Sequence, residues 1–143
     1  MIEKQTHFHF GVYALILNNS KDKILLIKKL IGAYTGMLDL PGGTMDNGET
    51  LAETMQREVY EETSLTVINH KQLHTLSTLF DFEKDGKLQS LHHVGTIYQA
   101  EVTGTPSDIG DGVDSGGCIW VPIKNIEKYD VVPFVRDILK LLK

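Results

Sequence analysis

Apolar and polar positions alternate over residues 7–17 (HFHFGVYALIL), which predicts a strand. Asn18-Asn19-Ser20 is a turn composition, and the run KILLIKK at 23–29 predicts a second strand pairing back across that turn. Residues 31–39 read as a loop or short strand leading into Pro41-Gly42-Gly43. Thr50 followed by Glu53 has the spacing of a capping box, so a helix is predicted from Thr50 to about Thr63. Ala52, Met55 and Val59 recur at helical spacing and form its core face, with Leu51 at the edge. Residues 65–68 and 73–82 read as strands, 81–87 as a hairpin end and 92–102 as a further strand. The Gly/Asp/Ser-rich stretch 103–117 reads as a loop and 119–121 as a short strand. A helix is predicted over 132–142, with Pro133 in its first turn. Strands interleaved with two amphipathic helices predict an α/β fold, a mixed sheet between helices, in one domain over residues 1–143.

Composition changes this picture little. A chain of 143 residues with 41% hydrophobic and 23% charged residues has the values of a globular domain that buries a core. The net charge of -5 argues against a surface that coats nucleic acid, so no nucleic-acid partner is expected. The single cysteine, Cys118, excludes an intramolecular disulfide framework. No run is long and apolar enough to span a bilayer, and the first residues lack a secretory apolar region. No membrane partner and a cytoplasmic location are therefore expected.

The chemistry concentrates in residues 43–65, GTMDNGETLAETMQREVYEETSL. On a helix starting at Thr50, Glu58 and Glu61 (i, i+3) and Glu58 and Glu62 (i, i+4) are neighbours on one side. Three carboxylates would thus converge beside the core. Like charges at these spacings repel by a few tenths of a kcal/mol per pair. Acids late in a helix also oppose its dipole, by roughly 0.3–1 kcal/mol each. An acidic helix face is commonly just solvated, but here one arginine, Arg57, cannot neutralise three carboxylates. A bound divalent cation can, and oxygen donors suit magnesium, calcium or manganese rather than zinc.

These residues resemble the signature of the Nudix (MutT-like) hydrolase family, G-x5-E-x7-R-E-U-x-E-E-x-G-U, U being bulky and aliphatic. Gly43, Glu49, Arg57, Glu58, Val59, Glu61, Glu62 and Leu65 match, and Ser64 stands where the family has glycine as a left-handed helix cap. The resemblance extends to flanking segments. Leu38-Asp39-Leu40-Pro41-Gly42-Gly43 is similar to the family's W-x-L-P-G-G lead-in, with Leu38 in place of a frequent tryptophan. Residues 120–123 and 132–142 resemble its late strand and closing helix.

The resemblance implies an α/β/α sandwich and a metal-dependent hydrolase of a diphosphate linkage, with Mg2+ as cofactor and Mn2+ as its substitute. It implies Glu58 and Glu62 as metal ligands, with Glu61 beside them and the Gly42 carbonyl as a further ligand. Arg57 would orient Glu58 and Glu49, and Glu49 would act behind the ligands or through water. Glu62, or an acid of the late loop such as Asp111 or Asp114, is a candidate for activating the attacking water. Lys28 and Lys29 are candidates for meeting the substrate's phosphates, as are Asp111 and Asp114 for lining its site. The preferred substrate is a nucleoside triphosphate, cleaved to the monophosphate and pyrophosphate. The alternatives are ADP-ribose or another ADP-sugar, a non-nucleotide diphosphate, and a non-catalytic nucleotide-sensing module. A homodimer is among the implied states. Tyr34, Phe80 and Phe82 are read as core or rim aromatics that could stack on a base. His7 and His9 share one strand face, and His92 and His93 point to opposite faces.

Overall fold

A computed structural model describes residues 4–107, 109, 112 and 115–142. Along the chain come β1 (Gln5–Leu15), β2 (Lys23–Lys29), β3 (Leu38–Asp39), β4 (Gly42–Gly43) and α1 (Leu51–Thr63). They are followed by β5 (Thr66–Lys84), β6 (Lys87–Thr103), β7 (Ser115–Pro122), a 3₁₀ helix (Ile123–Lys128) and α2 (Pro133–Leu141). One sheet has the order β4-β1-β6-β5 and the other β3-β2-β7. The first is mixed, because β1 runs parallel to β6 and antiparallel to β4. No helix of the described residues is long and apolar enough to cross a membrane.

Strand alternation sorts the core into two layers. Val12, Ala14 and Ile16 pack with Leu25 and Ile27 against Met55 and Val59 of α1. Tyr13 and Leu15 pack with Ile24 and Leu26 against Phe134, Val135 and Ile138 of α2. The sheets therefore lie between two helices, as an α/β/α sandwich requires. Each fully buried Leu, Ile, Val or Met contributes about 1.5–3 kcal/mol. These apolar layers, more than helix propensity, fix where α1 sits.

The ends of α1 explain its position. The Thr50 hydroxyl accepts from the Glu53 N–H (3.2 Å), and the Glu53 carboxylate accepts from the Thr50 N–H (2.9 Å), which completes the expected capping box. At the other end Ser64 takes the left-handed conformation (φ 66°), and its N–H donates to the Tyr60 carbonyl (2.9 Å). Serine there carries a steric cost that glycine lacks. Ser64→Gly is expected to stabilise the fold by about 0.5–1 kcal/mol, partly offset by the entropy of the unfolded glycine. Urea unfolding checks this; a destabilised variant would contradict it.

Several expected elements change. Residues 7–17 and 23–29 do not form a ladder across their turn; only the Leu17–Ile24 bridge and the Leu25 N–H to Ile16 carbonyl bond (2.9 Å) join them. Instead β1 inserts between β4 and β6, while β2 pairs with β3 and β7. The two strands expected at 65–68 and 73–82 are one strand, β5, with irregularities between Val67 and Asn69 and between Gln72 and His74. β7 begins at Ser115, within the expected loop, and the 3₁₀ helix was not signalled. The closing helix begins with Pro133 in its first turn, as expected.

Candidate functional site

The C-terminal half of α1 lies against β4. The buried Glu62 carboxylate accepts the Gly42 N–H at 2.7 Å. Gly42 itself must be glycine: its φ is 152°, and an added Cβ would collide with the Val12 carbonyl and stand 2.6 Å from the Tyr13 Cα. At Gly43 an added Cβ would come within 3.0 Å of the Glu58 carboxyl carbon. The missing side chain is what lets Glu58 approach the backbone.

Arg57 gathers the remaining acids. Its Nε and Nη2 donate to the two Glu49 oxygens (2.7 and 3.0 Å). Nη1 donates to Glu58 (2.9 Å) and Glu61 (3.1 Å), and Nη2 also reaches the Thr44 carbonyl (3.0 Å). Asp46 stands 3.4 Å from Nε. Glu49 accepts two further bonds, from the Asp46 N–H (2.8 Å) and the Thr54 hydroxyl (3.0 Å). The Arg57 hydrogen bonds, followed by the Asp46 N–H, hold the Glu49 carboxyl down to about 2. The same Glu49 contact raises the Arg57 pKa further above its ordinary value. This fork geometry suits arginine and not lysine.

The donor chemistry fits a hard cation: carboxylates from one helical turn beside a glycine turn, all oxygen. Among the described residues, no three His, Cys, Asp or Glu side chains form a group able to hold a metal ion. Glu58 and Glu61 instead share Arg57, and Glu62 turns to the Gly42 N–H. A cation would have to compete with Arg57 for Glu58 and Glu61.

A buried polar cluster lies behind Gly42. Tyr13 is the ladder partner of Gly42, and its hydroxyl meets His93 Nε2 at 2.6 Å. The Tyr34 hydroxyl meets the other ring nitrogen, Nδ1, at 2.9 Å. Burial, helped by the charges of His9 and Lys29, lowers the His93 imidazole to about 3, so it is neutral at physiological pH. Burial raises both tyrosines, with Asp39 adding to each. Asp39 is itself 3% exposed, and burial lifts its carboxyl to about 7 against the pull of Lys29 and the Leu40 N–H.

That shift gives a sign-definite expectation. The folded protein keeps on Asp39 a proton that the unfolded chain releases near 3.8. Its contribution is therefore complete below that value and is lost as pH rises to about 7. Asp39→Asn, which can keep an acceptor for Leu40, is expected to match the natural protein at pH 4 and exceed it at pH 7.5. The excess is bounded by about 4 kcal/mol. Urea unfolding at both values checks it; a pH-independent difference would contradict it.

Of the residues expected at a site, Glu49, Arg57, Glu58, Glu61, Glu62 and Gly42 meet at the α1–β4 contact. Lys29 does not join them; it is half-buried and faces Asp39, His9 and His93. Lys28 is exposed and lies outside the Arg57 network. Asp111 and Asp114 lie outside the described residues. His92 and His93 face opposite sides, as expected, and it is His93 that is buried and His92 that is exposed. The roles of Tyr13 and Asp39 were not foreseen. The signal for Asp39 is a lone acid between two leucines directly before Pro41. For Tyr13 there is none, since its partner lies 80 residues away.

A groove of about 440 Å³ borders this cluster, lined by Glu49, Glu53, Gln56, Arg57, Tyr60 and two β5 residues. A larger one, about 750 Å³, lies past the C-terminal end of α1 beside Leu17, Lys23, Leu65, Gly104 and Trp120, and no site carboxylate lines it.

A comparison with known families matches residues 7–142 to the NUDIX domain. A Bacillus subtilis protein described as a putative 8-oxo-dGTP diphosphatase is 29% identical over 111 residues, covering 78% of this chain and 64% of its own length. The Methanocaldococcus jannaschii ADP-ribose pyrophosphatase is 29% identical over 121 residues, covering 83% of this chain and 67% of its own. The chain thus spans about two thirds of the length of these relatives. In fold it resembles the crystal structure of a MutT NUDIX hydrolase from Burkholderia pseudomallei, with a TM-score of 0.73 and 22% identity. That likeness covers 96% of this chain and 99% of the other.

Proposed function

The chain belongs to the NUDIX family, and from that premise we propose that it is a divalent-metal-dependent hydrolase of nucleoside diphosphate derivatives. Its preferred substrate in this reading is a nucleoside or deoxynucleoside triphosphate. Water adds across the α–β anhydride, giving the nucleoside monophosphate and pyrophosphate. The observation that carries the reading is the Arg57 cluster seated on the glycine turn, with no acid of the pattern missing. A sensing module free of catalysis has no need of all four glutamates.

Glu58, Glu61 and Glu62, with the Gly42 carbonyl, would hold Mg2+ or Mn2+. Such a cation polarises a phosphoryl oxygen and lowers the pKa of bound water. The protein's own share is positioning and charge. Arg57 keeps Glu58 and Glu49 fixed, and the Gly42 N–H holds one Glu62 oxygen so that the carboxylate keeps one orientation. Glu62 is buried and ionisable beside the site, which suits it to orient water or accept its proton. An ADP-ribose substrate is the second reading, favoured by the name of the Methanocaldococcus jannaschii relative.

The test is product release from nucleoside triphosphates, deoxynucleoside triphosphates, ADP-ribose and a non-nucleotide diphosphate, with and without magnesium. Metal-dependent pyrophosphate release from a triphosphate is expected. Preference for ADP-ribose would select the second reading, and inactivity on every nucleotide would sink both.

A further inference from the structure

The connection between β2 and β3 is tied to the sheet by a group that hydrolysis itself does not use. Its backbone bonds stay close by: Gly36 N–H to the Lys29 carbonyl (2.8 Å), Thr35 N–H to Gly32 (3.3 Å) and Met37 N–H to Tyr34 (2.9 Å). Glycines with positive φ, Gly32 (88°) and Gly36 (85°), flank Tyr34 on either side, and Ile31 is exposed. Ala33 and Met37 of this segment pack against the core, and Tyr34, its buried residue, carries a hydroxyl to His93 on the other sheet.

There it meets His93, whose ring stacks on Phe134 of α2 with centroids 4.3 Å apart. The opposite ring nitrogen meets Tyr13, the partner of Gly42 in the ladder. A neutral imidazole has one N–H and one acceptor nitrogen, so one tyrosine donates to it and the other accepts. Both ring positions are used, and the imidazole cannot turn without losing a bond. Beside Tyr34 stands the half-buried Phe80 (4.9 Å between centroids), on which the half-buried Phe82 stacks, and the half-buried His9 lies 5.5 Å from His93. The loop, this aromatic face and the Gly42 turn thus meet around one imidazole.

We propose that His93 is a positioning residue for substrate selection: by bonding the Tyr13 and Tyr34 hydroxyls together, it fixes the 30–37 loop against β6 and so sets the space beside Gly42 for the group attached to the diphosphate. This rests on the hydrolase reading above, and the class selected is that of nucleoside diphosphate derivatives differing in the size of base or sugar. The clamp acts on binding and not on the bond-breaking step.

Two conservative variants separate the clamp from general stability. Tyr34→Phe keeps the ring and deletes the loop's bond; Tyr13→Phe deletes the other bond and leaves the loop attached. In Tyr34→Phe, amide hydrogen exchange over residues 31–37 is expected to rise about tenfold, the scale of one lost buried bond. KM for the best substrate is expected to rise several-fold with kcat little changed, and the ratio of kcat/KM between large and small substrates to shift. Tyr13→Phe frees the imidazole at its other nitrogen and should raise loop exchange by less than Tyr34→Phe does, since the loop keeps its own bond. Unchanged exchange and KM in Tyr34→Phe, or equal loop exchange in both variants, would overturn the proposal. In the natural protein, imidazole nitrogen resonances should show one fixed neutral tautomer; a ring titrating near the ordinary value of about 6.5 would overturn it as well. Lack of turnover on nucleotides would defeat the proposed function, while the exchange and tautomer measurements would still decide the clamp.

Discussion

Glu62→Gln is expected to lower kcat by about 10²–10⁴-fold, the range for a positioned group that manages a proton in the reaction. The side chain is 1% exposed, and glutamine has nearly the same shape. Its carbonyl oxygen can accept the Gly42 N–H as the carboxylate does at 2.7 Å, so the contact between α1 and β4 survives. What disappears is the negative charge and the ability to take a proton. Burying a neutral amide also costs less than burying a carboxylate. The melting temperature without metal is therefore expected to stay level or rise while activity falls. Steady-state kinetics beside thermal unfolding check this; activity kept within tenfold would remove Glu62 from the proposed chemistry.

Arg57→Ala is expected to cost both activity and stability, with the stability loss dependent on metal. The guanidinium serves Glu49, Glu58, Glu61, Asp46 and the Thr44 carbonyl at once. Without it, several acids lose the guanidinium they share, and Glu58, whose side chain is 11% exposed, has little water to turn to. A fall in kcat/KM of about 10²–10³-fold is expected, the scale of losing a preorganising charge. In a chelator the melting temperature should drop by several degrees. Millimolar magnesium should recover part of that drop, because a cation bound by the folded state replaces the lost charge. Arg57→Lys should rescue little, since an ammonium cannot grip both Glu49 oxygens and reach Glu58. A stability loss that magnesium leaves untouched would mean these carboxylates do not take up the ion.

The parts legible in the sequence are those governed by local rules. Thr50 and Glu53 announced the start of α1, Met55 and Val59 its buried face, and the spacing of Glu58, Glu61 and Glu62 the acidic side. The continuous apolar run fixed β2 at its observed limits, 23–29. What the chain concealed is non-local. The turn at Asn18 looks like a hairpin, but β1 takes its ladder partners from β4 and β6, and its register there is set by contacts far along the chain. The polar stretch from Asn69 to Gln72 looked like a break, yet it lies on the edge strand, where exposed polar side chains are at home. Tyr34 and His93 are held by hydrogen bonds across 59 residues, which no periodicity records. Ser64 in place of the glycine cap left the helix end open between a strained and an altered form; it is a left-handed serine, with φ at 66°.

The parallel ladder of β1 and β6 has a consequence for how the protein is made. Its register joins Gln5 to Gln89 and Leu15 to Gln99, so every rung closes a loop of 84 residues. Chain closure over such distances is entropically costly before any contact rewards it, and folds built on it form slowly. During synthesis β1 leaves the ribosome long before its neighbour exists. Its inward residues, Val12 to Ile16, wait exposed until then, a state in which a chaperone would protect the nascent chain.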